Sequence, residues 1–238
     1  VVLALGKVTK KSRFLLLAAA FVMALGMGFS GTRTAYAMVP AGLVFYILMT
    51  ITSRKTLAFA ITSLVTFIIL IFGPFHNSTI QRVRSTFEKS DGSYNVRDMN
   101  RKRIQPYILS HPLGGGLSTA GVLGEEYNPG HPLAGFPPDS GYLKNAVETG
   151  WVGLALNCFI YFIILRVGIR NFYHSRDPEI RGYYAAILAS LYALIVAHYS
   201  QVAIGQLPGA FFFYSMLPIL IKLKTFEENK TNTLNINL

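Results

Sequence analysis

The sequence predicts an all-α integral membrane protein of about six transmembrane helices, with one large periplasmic loop that contains an amphipathic helix. Three observations predict it. Apolar residues fill 52% of the 238 positions and charged residues only 14%, against roughly 25% charged in a soluble domain. Six segments approach the roughly 20 apolar residues that cross a bilayer. Basic residues gather in alternate connections between those segments, as they do on the cytoplasmic side of a membrane. The same composition excludes a disordered chain, a coiled coil and an ordinary cytosolic enzyme.

Residues 1–73 read as three spans, at 14–30, 35–51 and 56–72. Lys7, Lys10, Lys11 and Arg13 precede the first and give the region the look of a signal peptide. The apolar stretch is too long for one, and further spans follow. The chain opens without Met, on apolar and then basic residues, as a piece of a longer protein would. Residues 74–140 form the long loop. Residues 141–223 hold three more spans, at 142–165, 183–204 and 207–223, the last weakened by Pro208 and Pro218. Residues 224–238 are left as a cytoplasmic tail.

Charge placement supports this count. Beside the four residues at the N-terminus, Arg54 and Lys55 join the second span to the third. Arg166, Arg170, Arg176 and Arg181 join the fourth to the fifth, and Lys222, Lys224 and Lys230 follow the sixth. Thirteen of the 22 Lys and Arg thus fall on one side, which the positive-inside rule makes cytoplasmic. Topology therefore accounts for the net charge of +11, and nucleic acid is not an expected partner; membrane lipids are. The single cysteine, Cys158, rules out internal disulfides and thiolate metal clusters.

The opposite side holds the residues suited to chemistry. Arg33, in Ser30-Gly31-Thr32-Arg33-Thr34, stands between two spans at the outer interface, where an ionisable group is costly and usually functional. A snorkelling anchor is the plainer reading. An arginine there suits a phosphate-bearing partner, because it is always charged and binds oxyanions through two donors. Within the loop, Asn95 and Asp98 form a weak capping box, and Arg97, Arg101, Ile104 and Ile108 share one face of the helix that follows. That face fits a helix on the outer leaflet holding a pyrophosphate and its lipid, or a helix merely bound to anionic headgroups.

His111-Pro112-Leu113-Gly114-Gly115-Gly116 lacks the Gly-Lys-Ser/Thr of a nucleotide P-loop. His111 and His131, each before proline, read as turn residues. His198, inside a span, reads as a hydrogen-bonding group between helices. No spacing resembles a metal site. Asp139 precedes the helix beginning near Tyr142, where a carboxylate caps free amides or serves as a base facing the outer aqueous side. Glu148 reads as a structural partner of a loop arginine.

Taken in order, Ser-Gly-Thr-Arg at Ser30 to Arg33, the large outer loop, Arg97 ahead of His111 to Gly116, Asp139-Ser140 before Gly141-Tyr142-Leu143, and Glu-x-Gly-x-x-Gly at Glu148 to Gly153 resemble the O-antigen ligase and polymerase superfamily of bacterial surface-polysaccharide enzymes. The resemblance covers roughly residues 14–170 and matches the C-terminal half of such proteins. It implies a metal-independent, inverting glycosyltransferase with no cofactor, in the bacterial inner membrane with its site facing the periplasm. The implied donor is a glycan on undecaprenyl pyrophosphate, and the acceptor is a hydroxyl of a glycan, of lipid A-core or of a protein. Residues matching Arg33 and Arg97 would neutralise the pyrophosphate, with Arg101, Arg103 and His131 binding substrate. Ligases carry His-Asn where this chain has Asp139-Ser140, which favours a polymerase and makes Asp139 the expected base, with His131 in reserve. A protein O-oligosaccharyltransferase shares the same framework. A lipid or polysaccharide transporter is the rival from another class, but a carrier would place its charges within the spans near the midplane. A purely structural subunit would leave the arginine-bearing helix without a purpose.

Overall fold

A computed structural model describes residues 2–5, 8–30, 32–51, 54–72 and 92–236. The side chains of Arg33 and Arg97 lie outside the described residues, as do positions 73–91 at the start of the predicted loop. Regular structure among the described residues is helical: α1 (Val2–Leu5), α2 (Lys10–Ser30), α3 (Arg33–Thr50), α4 (Arg54–Phe72), α5 (Gly92–Ser110), α6 (Gly121–Tyr127), α7 (Gly141–His174), α8 (Pro178–Ala197) and α9 (Gly209–Ile236). An isolated bridge joins Gly121 to Ala134.

Three helices are long and apolar enough to cross a membrane: Gly141–His174, Pro178–Ala197 and Gly209–Lys230. Thr34–Thr50 is apolar but shorter. The chain is therefore an all-helical, multi-pass membrane protein. Along α7 the side chains of Val152, Leu156, Phe159, Ile160, Phe162 and Ile163 are exposed. A row of that size is rare on a soluble monomer and marks a surface suited to lipid.

Several helix ends differ from the sequence expectation, each for a physical reason. α7 runs to His174 rather than 165, and 34 residues would make a rod of about 51 Å, longer than the hydrocarbon core of about 30 Å. Gly150 interrupts the helical path (φ 66°, ψ −167°), so the apolar rod proper begins at Trp151, a residue type that favours the membrane interface. α8 ends at Ala197, and His198 stands in the turn beyond it instead of inside a span. α9 continues to Ile236 as helix, past the expected end at 223.

The chain divides into two compact units. One comprises Val1–Phe87, Ile164–Ala193 and Phe211–Leu238. Here α3 approaches α8 closely: a side chain on Gly42 would meet the Ala189 carbonyl at 3.0 Å and the Ala193 methyl at 3.2 Å, the small-residue contact typical of membrane helices. Phe45 stacks on Tyr192 at 4.4 Å beside this contact. The long α9 is tied to the α7–α8 turn. Glu227 Oε1 accepts from the Ser175 hydroxyl (3.0 Å) and from the amides of Arg176 (2.6 Å) and Asp177 (2.9 Å). Lys230 bonds Asp177 at 2.5 Å and holds that carboxyl below its ordinary pKa. These ties explain why residues beyond 223 stay helical.

The other unit comprises Glu88–Ile163 and Leu194–Ala210. Its core is Ile104, Ile108, Ala120, Leu133, Phe136, Ala146 and Val147. Ile104 and Ile108, which the sequence offered to the outer leaflet, are buried in this core instead. The loop carries enough apolar residues of its own to cover that face of α5.

Candidate functional site

The second unit brings together most of the residues singled out from the sequence, and it does so through its backbone. Gly150 adopts a φ/ψ combination that only glycine occupies readily. The interruption leaves helix carbonyls before it, and one amide after it, without partners in the helix. The glycine loop supplies them. The Gly115 amide donates to the Val147 carbonyl (2.8 Å), the Gly116 amide to the Glu148 carbonyl (3.0 Å), and the Trp151 amide to the Pro112 carbonyl (2.9 Å). The segments touch so closely that a side chain on Gly150 would overlap the Pro112 carbonyl oxygen, and one on Gly114 would strike the backbone of Glu148 and Gly150. His-Pro-Leu-Gly-Gly-Gly and Glu-x-Gly-x-x-Gly are thus two halves of one backbone joint.

Glu148 strengthens the joint. Its carboxylate is buried, accepts the Ser118 amide at 3.1 Å and lies 3.9 Å from the Lys144 ammonium. The partners are a loop amide and a lysine of its own helix, not the loop arginine expected from the sequence. Thr119 and Asn128 complete the turn by bonding the carbonyls of Gly116 (3.1 Å) and Ser118 (3.0 Å).

The segment from His131 to Asp139 runs antiparallel along α5, and three contacts fix its register. Tyr107 meets His131, with 2.9 Å between the hydroxyl and Nε2. The Arg103 guanidinium lies over the Phe136 ring at 5.7 Å. Asn100 donates its side-chain amide to Asp139 Oδ2 at 3.1 Å. Positions 100, 103 and 107 are helix neighbours on one face, and the paired residues descend through the strap in the opposite order. Leu133 and Phe136 anchor it in the same core as Ile104 and Ile108.

Both ring nitrogens of His131 are engaged. The Leu133 amide can only donate, and it points at Nδ1 (3.2 Å), so in the neutral ring the proton sits on Nε2 and faces the Tyr107 oxygen. Burial pushes the Tyr107 phenol above its ordinary pKa, so it stays protonated at neutral pH. Its ring stacks on His111 at 4.1 Å, and its oxygen packs where a side chain on Gly115 would fall. His131 and His111 thus pack around the Tyr107 ring within the loop.

Asp139 is half-buried, just before Ser140 and the first turn of α7. Among the described residues its side chain accepts from Asn100 on α5 and not from an α7 amide. The start of α7 is held from the other side by the end of α8. The Gly141 amide donates to the His198 carbonyl (2.9 Å), and the Tyr142 hydroxyl donates to the Ile195 carbonyl (2.9 Å). The His198 ring occupies the space a Gly141 side chain would need, and its Nδ1 accepts the Ile204 amide at 3.1 Å. Gly-Tyr-Leu is therefore a docking element that fixes where Asp139 stands.

The arginines of α5 pack on aromatic rings where they are described. Arg101 is half-buried with its guanidinium over the Tyr199 ring at 4.6 Å, and Arg103 is exposed. Arg97 lies one turn before Arg101 in the same helix. Arg33 opens α3 in the other unit. Among the described residues, no three His, Cys, Asp or Glu side chains are grouped to hold a metal ion.

Asn100 and Tyr107 went unnoticed in the sequence. Their one signal was spacing, three residues after Arg97 and four after Arg103 on a helix already singled out. Comparison with known proteins agrees with the arrangement of motifs. No curated protein and no solved structure matches the chain. Residues 18–158, more than half of its length, match the O-antigen ligase family. That stretch contains Arg33, Arg97, both halves of the glycine joint and Asp139. The chain belongs to the O-antigen ligase family, whose members are enzymes of glycan transfer.

Proposed function

We propose that this protein transfers or polymerises glycan from an undecaprenyl-pyrophosphate donor at the periplasmic face of the inner membrane, without a metal and with inversion. Polymerisation of repeat units is the favoured outcome, because Asp139-Ser140 stands where ligases carry His-Asn. One observation carries the reading: the strap along α5 brings the carboxylate of Asp139 to the helix that bears Arg97, Arg101 and Arg103. A carboxylate and a run of arginines thus belong to one packed unit, which supports a proton acceptor beside a phosphate-binding face.

In the proposed step an acceptor hydroxyl attacks the anomeric carbon from the face opposite the leaving group. The new bond joins the acceptor oxygen to that carbon, and the bond between the carbon and the phosphate oxygen breaks. The lipid pyrophosphate departs with the electron pair, and Asp139 receives the hydroxyl proton. Arg97 and Arg101 neutralise the charge gathering on the pyrophosphate. A role for Arg33 rests on the family resemblance alone. His131 is the weaker base because both of its ring nitrogens are already bonded.

Asp139→Asn tests the reading. Asparagine still offers an oxygen to Asn100 but cannot take a proton, so abundance should match wild type. Transfer from a lipid-linked donor in proteoliposomes should fall roughly 10²- to 10⁴-fold, the usual contribution of acid–base catalysis. Turnover near wild type would remove Asp139 from the chemistry.

A further inference from the structure

We propose that Asn100 is a positioning residue, which aims the Asp139 carboxylate at the acceptor hydroxyl and ties that carboxylate to the helix that binds the pyrophosphate. The inference rests on the reading of Asp139 as the base and extends it to a residue that reading does not include. Asn100 and Asp139 are 39 positions apart in the chain, yet their side chains meet at 3.1 Å, part-buried. The bond engages Oδ2 of Asp139, so on the proposed reading Oδ1 is the oxygen that takes the proton. A carboxylate at the end of a loop has two side-chain torsions to fix. The anchors of this strap at Phe136 and Leu133 lie three and six residues earlier, too far back to fix them. The Asn100 amide does so directly.

The location matters as much as the bond. Asn100 follows Arg97 by three residues on α5, so their positions neighbour each other on one helix face. Ile104, fully buried one turn further on, locks the rotation of α5 about its axis. One rigid element therefore sets both the base and the arginine-bearing face that receives the leaving group. Attack and departure must occur on opposite sides of one carbon, and reacting groups must be held within a few tenths of an ångström to keep their full rate advantage. A single helix holding both sides meets that requirement more simply than two elements moving independently.

The test uses full-length protein in proteoliposomes with a lipid-linked donor. Asn100→Ala should lower kcat about tenfold, the scale of a modest misplacement of a reacting group, while KM for the donor changes less than twofold. In the Asp139→Asn background the same substitution should cause no further loss, because the carboxylate it aims is already gone. A kcat for Asn100→Ala within twofold of wild type, with Asp139→Asn strongly impaired, would overturn the positioning role and leave the base intact. Losses that multiply in the double variant would also overturn it, since Asn100 would then act through something other than Asp139. Normal turnover by Asp139→Asn alone would overturn both readings. If Asn100→Ala is poorly produced, Asn100→Gln keeps an amide donor on a longer arm. It should retain more activity than Asn100→Leu, and equal losses in the two would reject the hydrogen bond as the cause.

Discussion

Replacing Gly150 by alanine should damage this protein more than any change to a charged residue, because it attacks the joint on which the second unit is built. The backbone there has φ 66° and ψ −167°, a combination that costs a residue with a side chain about 1–3 kcal/mol. The added methyl would also overlap the Pro112 carbonyl oxygen, forcing the glycine loop away from α7. Three backbone hydrogen bonds cross that contact, at 2.8, 2.9 and 3.0 Å. Each buried group left without a partner costs about 1–3 kcal/mol. Strain plus the loss of one or two bonds gives a destabilisation of about 4 kcal/mol. For a chain of this size that corresponds to a fall of about 10 °C in Tm, at roughly 2–4 °C per kcal/mol. The assay is the temperature at which detergent-purified protein leaves the monodisperse peak in size-exclusion chromatography after brief heating. Gly130→Ala is the control: it lies in the same loop with nothing within 4 Å of the added carbon, and should stay within about 0.5 kcal/mol of wild type. If Gly150→Ala melts within 2 °C of the control, about what 0.5 kcal/mol would produce, the joint does not bear the strain argued for it.

Other expectations follow from the same geometry. Glu148→Leu should destabilise by about 1–3 kcal/mol by leaving the Ser118 amide unpaired, whereas Glu148→Gln keeps an acceptor and should cost less; the same melting assay separates them. Arg97→Lys retains charge but loses the two-donor geometry, so its transfer activity should fall nearly as far as that of Arg97→Ala; full activity in either removes Arg97 from the site, and the same pair at Arg33 separates a pyrophosphate ligand from a helix anchor. The proposed topology places Arg54 and Arg176 in the cytoplasm and Ser118 in the periplasm. Cysteines at these positions, introduced on a Cys158→Ser background because the native thiol is exposed, should react with an impermeant reagent in intact spheroplasts only at position 118.

The long apolar helices Gly141–His174 and Pro178–Ala197 were legible in the sequence because length and apolar content are additive properties, countable one residue at a time. The positive-inside pattern is similarly local. Where α7 breaks was not legible that way. Gly150 sits in a run that otherwise favours helix, and a lone glycine there costs only about 1 kcal/mol relative to alanine. Its effect depends on Pro112 and Gly114, nearly 40 positions earlier, which accept and fill the interruption. The expectation that Ile104 and Ile108 face the outer leaflet failed for a related reason. Periodicity identifies an apolar face but does not say whether lipid or protein covers it, and Leu133 and Phe136 gave no periodic signal of their own. Asn100 was the least visible, since a polar residue on a polar helix face acquires meaning only when a partner arrives.

The motifs behind the family resemblance perform two kinds of physical work. Gly114, Gly115, Gly141 and Gly150 lack side chains because a backbone or an aromatic ring already fills the space beside each. Substituting them disturbs backbone hydrogen bonding next to the start of an apolar helix, where unpaired polar groups are especially costly. These positions are constrained by the shape of the loop, whichever sugar is transferred. Asp139 is constrained differently. It is half-buried and, among the described residues, tied by one side-chain bond to Asn100, while Gly141 and Tyr142 hold α7 in place through the end of α8. A different proton-accepting residue can therefore occupy the position without disturbing the joint or the docking of α7. On the proposed reading, Asp139 is a proton acceptor set in a frame that the glycine joint and the docking of α7 hold independently of it, and Asn100 is the neighbour that orients it.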